Sequence, residues 1–208
     1  MAIPTLVLVL GGARSGKSSF AERLASHYTG DHGVLYLATA EASDAEMILR
    51  INRHRALRPP SWHTVEAPLK VAAAVKTALQ QAPTALILLD CLTLLASNWL
   101  LAAHLHEIQR AEEGLYQELN ALLEQVETAH IGLVVVSNEV GMGLVPPYPL
   151  GRVYRDLLGH LNQYLARKAD LVYTMVAGLP LEVKALARSG VPWFFTPAQD
   201  QEDLEAKP

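Results

Sequence analysis

Apolar runs and helix-like patterns alternate along the chain. Thr5–Leu10 is an almost continuous apolar run, the pattern of a strand covered on both faces. Ser18–Tyr28 reads as a helix, and Val34–Thr39 as a second strand. Asp44–Leu57 is helical in pattern, with Met47, Ile48 and Ile51 on one side, and Pro59–Pro60 stops it. Leu69–Gln81 is an Ala-rich helix followed by Pro83, and Ala85–Leu89 is the third predicted strand. Leu105–Val126 carries Leu105, Ile108, Leu115, Leu119, Leu122 and Val126 at helical spacing, which predicts a long amphipathic helix. Leu133–Ser137 is a fourth strand, Gly141–Gly151 a Gly/Pro-rich loop, Val153–Ala166 a helix and Leu171–Val176 a fifth strand. Trp193–Phe195 is a candidate edge strand. Strands separated by helices imply βαβ units, hence an α/β fold with a mainly parallel sheet. The pattern shows no repeat and no domain boundary. The expectation is one domain over residues 1–198 and a polar, frayed tail at 199–208. Strand order stays open.

Composition narrows the function classes. Of 208 residues, 50% are hydrophobic and 18% charged, which suits a large core and excludes a disordered chain. The formal net charge of −4 disfavours a nucleic-acid coat, since phosphate backbones demand clustered Lys and Arg. Cys91 is the only cysteine, so neither an internal disulfide nor a cysteine-rich zinc site can form, and a cytoplasmic location is expected. The apolar start, Met1 to Leu10, lacks a basic n-region and runs into a glycine loop rather than a cleavage site. Ala85–Leu89 and Ile131–Val136 are too short for membrane spans.

The glycine loop carries the sharpest chemistry. Gly11-Gly12-Ala13-Arg14-Ser15-Gly16-Lys17-Ser18 fits the pattern G-x-x-x-x-G-K-[ST], with a predicted strand before it and a predicted helix after it. Glycines let backbone N–H groups converge on phosphate oxygens, and the helix N-terminus adds partial positive charge. Lys17 would sit on the β- and γ-phosphates, and the Ser18 hydroxyl would ligate Mg²⁺. Asp90, at the end of the third predicted strand, stands where P-loop proteins keep their second Mg²⁺ anchor. Taken apart from the loop, it would be an ordinary strand-end aspartate.

A second segment is unusual in charge. Arg50, Arg53, Arg55 and Arg58 surround His54, and Arg50, His54 and Arg58 are four apart, which puts them on one helical face. Such a face could hold a polyphosphate against an imidazole, and the arginines would disfavour the imidazolium and keep His54 neutral, hence nucleophilic. The plainer alternative is a solvated basic face with an incidental histidine. The other seven histidines have no comparable setting. Glu66-Ala67-Pro68 could simply be a polar entry to the following helix. Asn138-Glu139 follows a strand at its C-terminal end, where open α/β sheets place ligands, and either touches substrate or metal or caps a loop.

These segments, in this order, resemble the bifunctional adenosylcobinamide kinase/adenosylcobinamide-phosphate guanylyltransferases of cobalamin biosynthesis. The likeness runs from the first strand to about Lys184. It rests on the phosphate loop, on Tyr36-Leu37-Ala38-Thr39-Ala40, on Glu46-Met47 with Arg50-Ile51, His54 and Arg58, and on Trp62 and Glu66. It continues through Leu89-Asp90-Cys91-Leu92-Thr93, Asn138-Glu139-Val140-Gly141-Met142-Gly143 and Val145-Pro146. The resemblance implies a RecA-like P-loop core, a homotrimer, and two reactions using GTP, ATP and Mg²⁺. One phosphorylates the aminopropanol hydroxyl of adenosylcobinamide; the other moves GMP from GTP onto that phosphate through a GMP-histidine, whose position here is His54. The implied nucleotide contacts are Gly11 to Ser18, Ala38, Thr39 and Ala40, Arg55, Ala56, Leu57 and Arg58, Glu66 and Asp90. Three departures stand out: Asp90 where some members have glutamate, Ser137 where threonine is frequent, and Arg53 where some have a second histidine.

Two other functions fit parts of the pattern. A plain small-molecule P-loop kinase would leave His54 structural. A non-catalytic nucleotide switch or assembly protein would show a partner surface or a DNA-binding basic stripe, which the net charge of −4 disfavours.

Overall fold

A computed structural model describes residues 3–30, 32–41, 48–49, 55–56, 58–103 and 107–190. The chain order is β1 (Leu6–Gly11), α1 (Lys17–Thr29), β2 (Val34–Ala38), β3 (His63–Glu66), α2 (Val71–Gln81), β4 (Leu86–Asp90) and α3 (Leu92–Ala102). It continues with α4 (Ile108–Ala129), β5 (Gly132–Val136), α5 (Pro149–Lys168), β6 (Leu171–Val176), β7 (Leu179–Glu182) and α6 (Val183–Gly190). Among the described residues, seven strands form one sheet in the order β3-β2-β4-β5-β1-β6-β7. Every pairing is parallel except β6 with β7, which is antiparallel. The α/β class and the mainly parallel sheet agree with the periodicity. One strand, β5, lies between the phosphate-loop strand β1 and the Asp90 strand β4, as a RecA-like core requires.

The central strands are apolar on both faces because helices cover both. On one face Leu8, Leu35, Leu37, Ile87, Leu89 and Val135 pack with Val75 of α2, Leu95 of α3, Leu115 and Leu119 of α4 and Leu161 of α5. On the other, Val9, Tyr36, Leu88 and Val136 pack with Ala21 and Ala25 of α1 and with Trp62. Alanines on the inner side of α1 let it lie close to the strands, which brings its N-terminus down to their C-terminal edge.

Several expectations shift on contact with the structure. The strand expected at Ala85–Leu89 is fourth in the chain, because β3 precedes it. Among the described residues that strand, His63-Thr64-Val65-Glu66, pairs on one side only and is partly exposed, so it never needed an apolar run. The fold also contains β7, a second edge strand with Pro180 inside it, which an edge tolerates. Nothing in the pattern singled out α3, whose sequence is apolar nearly all round and so shows little period. Gly141–Gly151 is loop only as far as Tyr148, since α5 begins at Pro149, whose fixed φ suits a first helical turn. Of the helix expected over Asp44–Leu57, only Ile48–Leu49 and Arg55–Ala56 are described, and they are helical. The rest of that helix, the strand expected at Trp193–Phe195 and the tail at 199–208 lie outside the described residues. Among the described residues no helix is long and apolar enough to cross a membrane.

Candidate active site

Strand register assembles the site. Ala38 lies opposite Glu66 on β3 and opposite Asp90 on β4, and Asp90 lies opposite Val136 on β5. Four strands therefore end in one row at the C-terminal edge of the sheet, with two carboxylates in it. The phosphate loop leaves β1 at the same edge. Gly11 has φ +146°, and a Cβ there would come within 2.8 Å of the Met175 carbonyl and of Ser15 Oγ. Gly16, at φ +93°, turns the chain into α1. No side chain caps the start of α1, whose first-turn N–H groups suit an anion.

Hydrogen bonds within the chain hold the loop in shape. Lys17 is only 8% exposed, and its Nζ donates to the Gly12 carbonyl at 2.6 Å across the arch. The Glu139 N–H donates to the Gly11 carbonyl at 3.1 Å, and the Gly178 N–H to the Ser15 carbonyl at 3.0 Å. Segments following β5 and β6 thus clasp the loop from either side.

Ala13 to Ser18, Ala38, Ala40, Arg55, Arg58, Glu66 and Asp90 all line one cleft of about 600 Å³, a volume suited to a nucleotide. Gly11 and Gly12 shape the loop behind it. Thr39 is fully buried, so it frames the cleft rather than lining it: its hydroxyl donates to the Cys91 carbonyl at 2.7 Å and accepts from the Cys91 N–H at 2.8 Å. Asn98 of α3 bridges the carbonyls of Thr39 and Pro68, both at 2.9 Å. Ala56 is exposed. His54 and Leu57 lie outside the described residues; Arg55, next along the chain from His54, lines the cleft.

The electrostatics centre on Asp90. The Tyr36 hydroxyl donates to Asp90 Oδ2 at 2.6 Å. Burial, and after it the Asp90 charge, push this phenol far above its ordinary range, so it stays protonated and a permanent donor. The Arg58 guanidinium lies 3.3 Å from the centroid of the Tyr36 ring, and Trp62 stacks near the same ring at 6.3 Å. Burial and then Asp90 push the Cys91 thiol up to about 11, so it is a thiol rather than a nucleophilic thiolate. Arg55 Nη2 and Glu66 Oε1 pair at 2.6 Å, with both side chains more than half exposed, so the pair contributes little to stability and opens readily for a ligand.

Ser18 and Asp90 offer a hydroxyl and a carboxylate, hard oxygen donors that fit Mg²⁺. Among the described residues no three His, Cys, Asp or Glu side chains converge on a metal position. Mg²⁺ shared with nucleotide phosphates and water needs no such cluster.

Three contributors were given no role from the sequence. Tyr36 is one, although its alternation with Ala38 on β2 puts both on one face. Glu22 is another: burial and then the Asp90 charge push its carboxyl up, while Arg58 and Arg23 pull it down, which places it in the same charged group. Its position four after Ser18 on α1 was a usable signal. The third is Asn162, a buried amide in the apolar stripe of α5. It accepts from Ser137 Oγ at 2.7 Å and donates to the Asn138 carbonyl at 3.0 Å and to Glu139 Oε1 at 3.3 Å. Asn138 lines the cleft, and its N–H donates to Thr93 Oγ1 at 2.9 Å.

Tyr36→Phe tests the clamp on Asp90. Losing the phenol is expected to cost about 2 kcal/mol of stability, read by urea unfolding, because a partly buried carboxylate loses its donor. Mg²⁺-dependent nucleotide affinity should weaken as Asp90 gains freedom. Unchanged unfolding and unchanged affinity would mean that Tyr36 only fills space.

The sequence profile of the family described as cobinamide kinase / cobinamide phosphate guanyltransferase matches residues 7–183. The bifunctional adenosylcobalamin biosynthesis protein CobP of Pseudomonas aeruginosa is 42% identical over 177 residues, covering 85% of this chain and 96% of that protein. The bifunctional adenosylcobalamin biosynthesis protein CobU of Escherichia coli is 37% identical over 186 residues, covering 86% and 99%. The protein of the same name from Salmonella typhimurium is 38% identical over 186 residues, with the same coverage.

Proposed function

Because the chain belongs to the cobinamide kinase / cobinamide phosphate guanyltransferase family, we propose that this one cleft serves a phosphoryl transfer and then a guanylyl transfer to the same corrinoid. The observation that carries the reading is the convergence, along one sheet edge, of the phosphate loop, the Glu66–Ala38–Asp90 row and the guanidinium groups of Arg55 and Arg58.

In the first reaction the aminopropanol hydroxyl of adenosylcobinamide attacks the γ-phosphorus of ATP or GTP, and the nucleoside diphosphate leaves. The loop N–H groups and Lys17 hold the β- and γ-phosphates, where negative charge shifts during transfer. Ser18 and Asp90 would hold Mg²⁺, with Tyr36 fixing the Asp90 carboxylate. When bound, Mg²⁺ neutralises charge on the phosphate oxygens.

In the second reaction an imidazole nitrogen of His54 attacks the α-phosphorus of GTP and pyrophosphate leaves. An oxygen of adenosylcobinamide phosphate then attacks that phosphorus, the N–P bond breaks, and His54 is restored. The product is adenosyl-GDP-cobinamide. Arg58, with Arg50, would hold the phosphates and the departing pyrophosphate. We assign both reactions to a single domain over residues 1–198, working in the cytoplasm as a homotrimer. Incubation with α-labelled GTP tests the reading: an acid-labile, base-stable label on the chain is expected. A plain kinase would take up none.

Glu66 would select the base. Its carboxylate can accept from guanine N1–H and the 2-amino group, donors that adenine does not present as a pair. The exposed pair with Arg55 would open to admit them. Glu66→Ala is expected to lower the preference for GTP over ATP in chain labelling by about tenfold or more. A variant that keeps the wild-type preference would remove Glu66 from base recognition.

A further inference from the structure

We propose that the loop from Val140 to Tyr148 is the docking surface for the corrin macrocycle of the cobinamide substrate. The proposal rests on the functional reading above and adds the part of the site that holds the ring.

The loop grows out of the nucleotide cleft. Asn138 lines the cleft, and the Glu139 N–H is bonded to Gly11 at the base of the phosphate loop. The buried amide of Asn162 grips the Asn138 carbonyl and the Glu139 carboxylate, so the departure point is fixed. The far end is fixed too. Arg152 Nη1 donates to the carbonyls of Pro146 and Pro147, both at 3.0 Å. Gly151 lies so close beneath Tyr148 that an added Cβ would come within 2.5 Å of its ring.

Between these anchors the chain turns apolar side chains outward. Met142 is 89% exposed and Leu144 97%, with Val145 and Tyr148 also exposed. No charged residue occurs from Val140 to Gly151. A contiguous apolar segment held open at the rim of a site marks an interaction surface, since exposing it to water is unfavourable. Its chemistry excludes a second nucleotide, which would need cations. It matches a broad macrocycle with methyl-studded faces and a rim of neutral amides, which cannot use ion pairs. Because the loop departs from Asn138 in the cleft wall and Glu139 against Gly11, a ring lying on it would keep its aminopropanol arm on the side of the phosphate loop.

The test uses the full-length protein with Met142→Ser and Leu144→Ser combined. Two readings separate the corrinoid from the nucleotide: the KM for adenosylcobinamide in the kinase reaction, and the rate of chain labelling by α-labelled GTP with no corrinoid present. The KM is expected to rise about tenfold or more, as for loss of two apolar contacts. Labelling by GTP and the thermal unfolding midpoint should stay at wild-type values. Leu144→Met, which keeps the apolar contact, should keep the wild-type KM. A wild-type KM in the double variant would overturn the proposal, and so would a parallel loss of GTP labelling. A change in assembled mass by light scattering would show that the loop covers a second copy instead, and would equally overturn it. Failure of the wild-type protein itself to label with GTP or to turn over adenosylcobinamide would sink the functional reading, and this proposal with it.

Discussion

His54→Ala is expected to abolish the GMP adduct and to lower guanylyl transfer by on the order of 10³-fold or more, as for loss of a nucleophile, while much of the kinase activity survives. A neutral imidazole can attack the α-phosphorus without first shedding a proton, which a serine hydroxyl would have to do. The phosphoramidate so formed is cleaved when a phosphate oxygen of the second substrate arrives, so the half-reaction should be ping-pong. Phosphorylation of the substrate hydroxyl needs positioning, Mg²⁺ and Lys17, and no histidine. The two activities should therefore part company in this one variant. His54→Asn, closer in size and polarity, should behave alike. Arg58→Ala should weaken nucleotide use in a graded way and leave the adduct detectable, because Arg58 would hold phosphates rather than form the bond. Adduct accumulating on His54→Ala would place the nucleophile elsewhere.

Lys17→Ala should instead remove both activities together, each by about 10²–10³-fold or more. The ammonium closes the arch of the phosphate loop, its Nζ on the Gly12 carbonyl, at the mouth of the cleft. Both transfers would develop charge on phosphate oxygens beside it, so neither would have a substitute. The fold should persist, since the clasps on Gly11 and Ser15 are made by backbone groups and not by this side chain. Circular dichroism with both assays on one preparation decides the matter. A folded variant with wild-type kinetics would end the phosphate-loop assignment.

The phosphate loop was legible because its chemistry dictates a fixed spacing of glycines, lysine and serine, and because the central strand before it must be apolar throughout. Asp90 was legible for the second reason: it is the first polar residue after a buried apolar run. Edge strands gave no such signal. β3 is partly and β7 mostly exposed, so Thr64 and Glu66 on one and Pro180 on the other are tolerated, and alternation is lost. α3 went unseen for another cause: its sequence is apolar on most sides, exposed Leu101 included, so no polar face marks a period. Contacts between distant residues were the least legible of all. That Tyr36 reaches Asp90, or that Asn162 grips Asn138, depends on strand order and helix placement, which local pattern does not encode. The role proposed for His54 rests on charge spacing and family likeness, and its placement lies outside the described residues.

The position of β1 has a consequence for the chain as it is being made. β1 is translated well before its sheet neighbours β5 and β6, and the two clasps on the phosphate loop come from Glu139 and Gly178. A growing chain on the ribosome thus carries the entire G-x-x-x-x-G-K-[ST] sequence long before it can shape that sequence into a cradle. Local helices can form as they emerge, but β1 must wait for partners far along the chain, and such long-range pairing is slow. Nucleotide, which stabilises only what it binds, will favour chains in which the distant strands have arrived. Tight nucleotide binding then becomes a mark of a finished molecule, and a fragment ending before Gly178 should show the motif without the affinity.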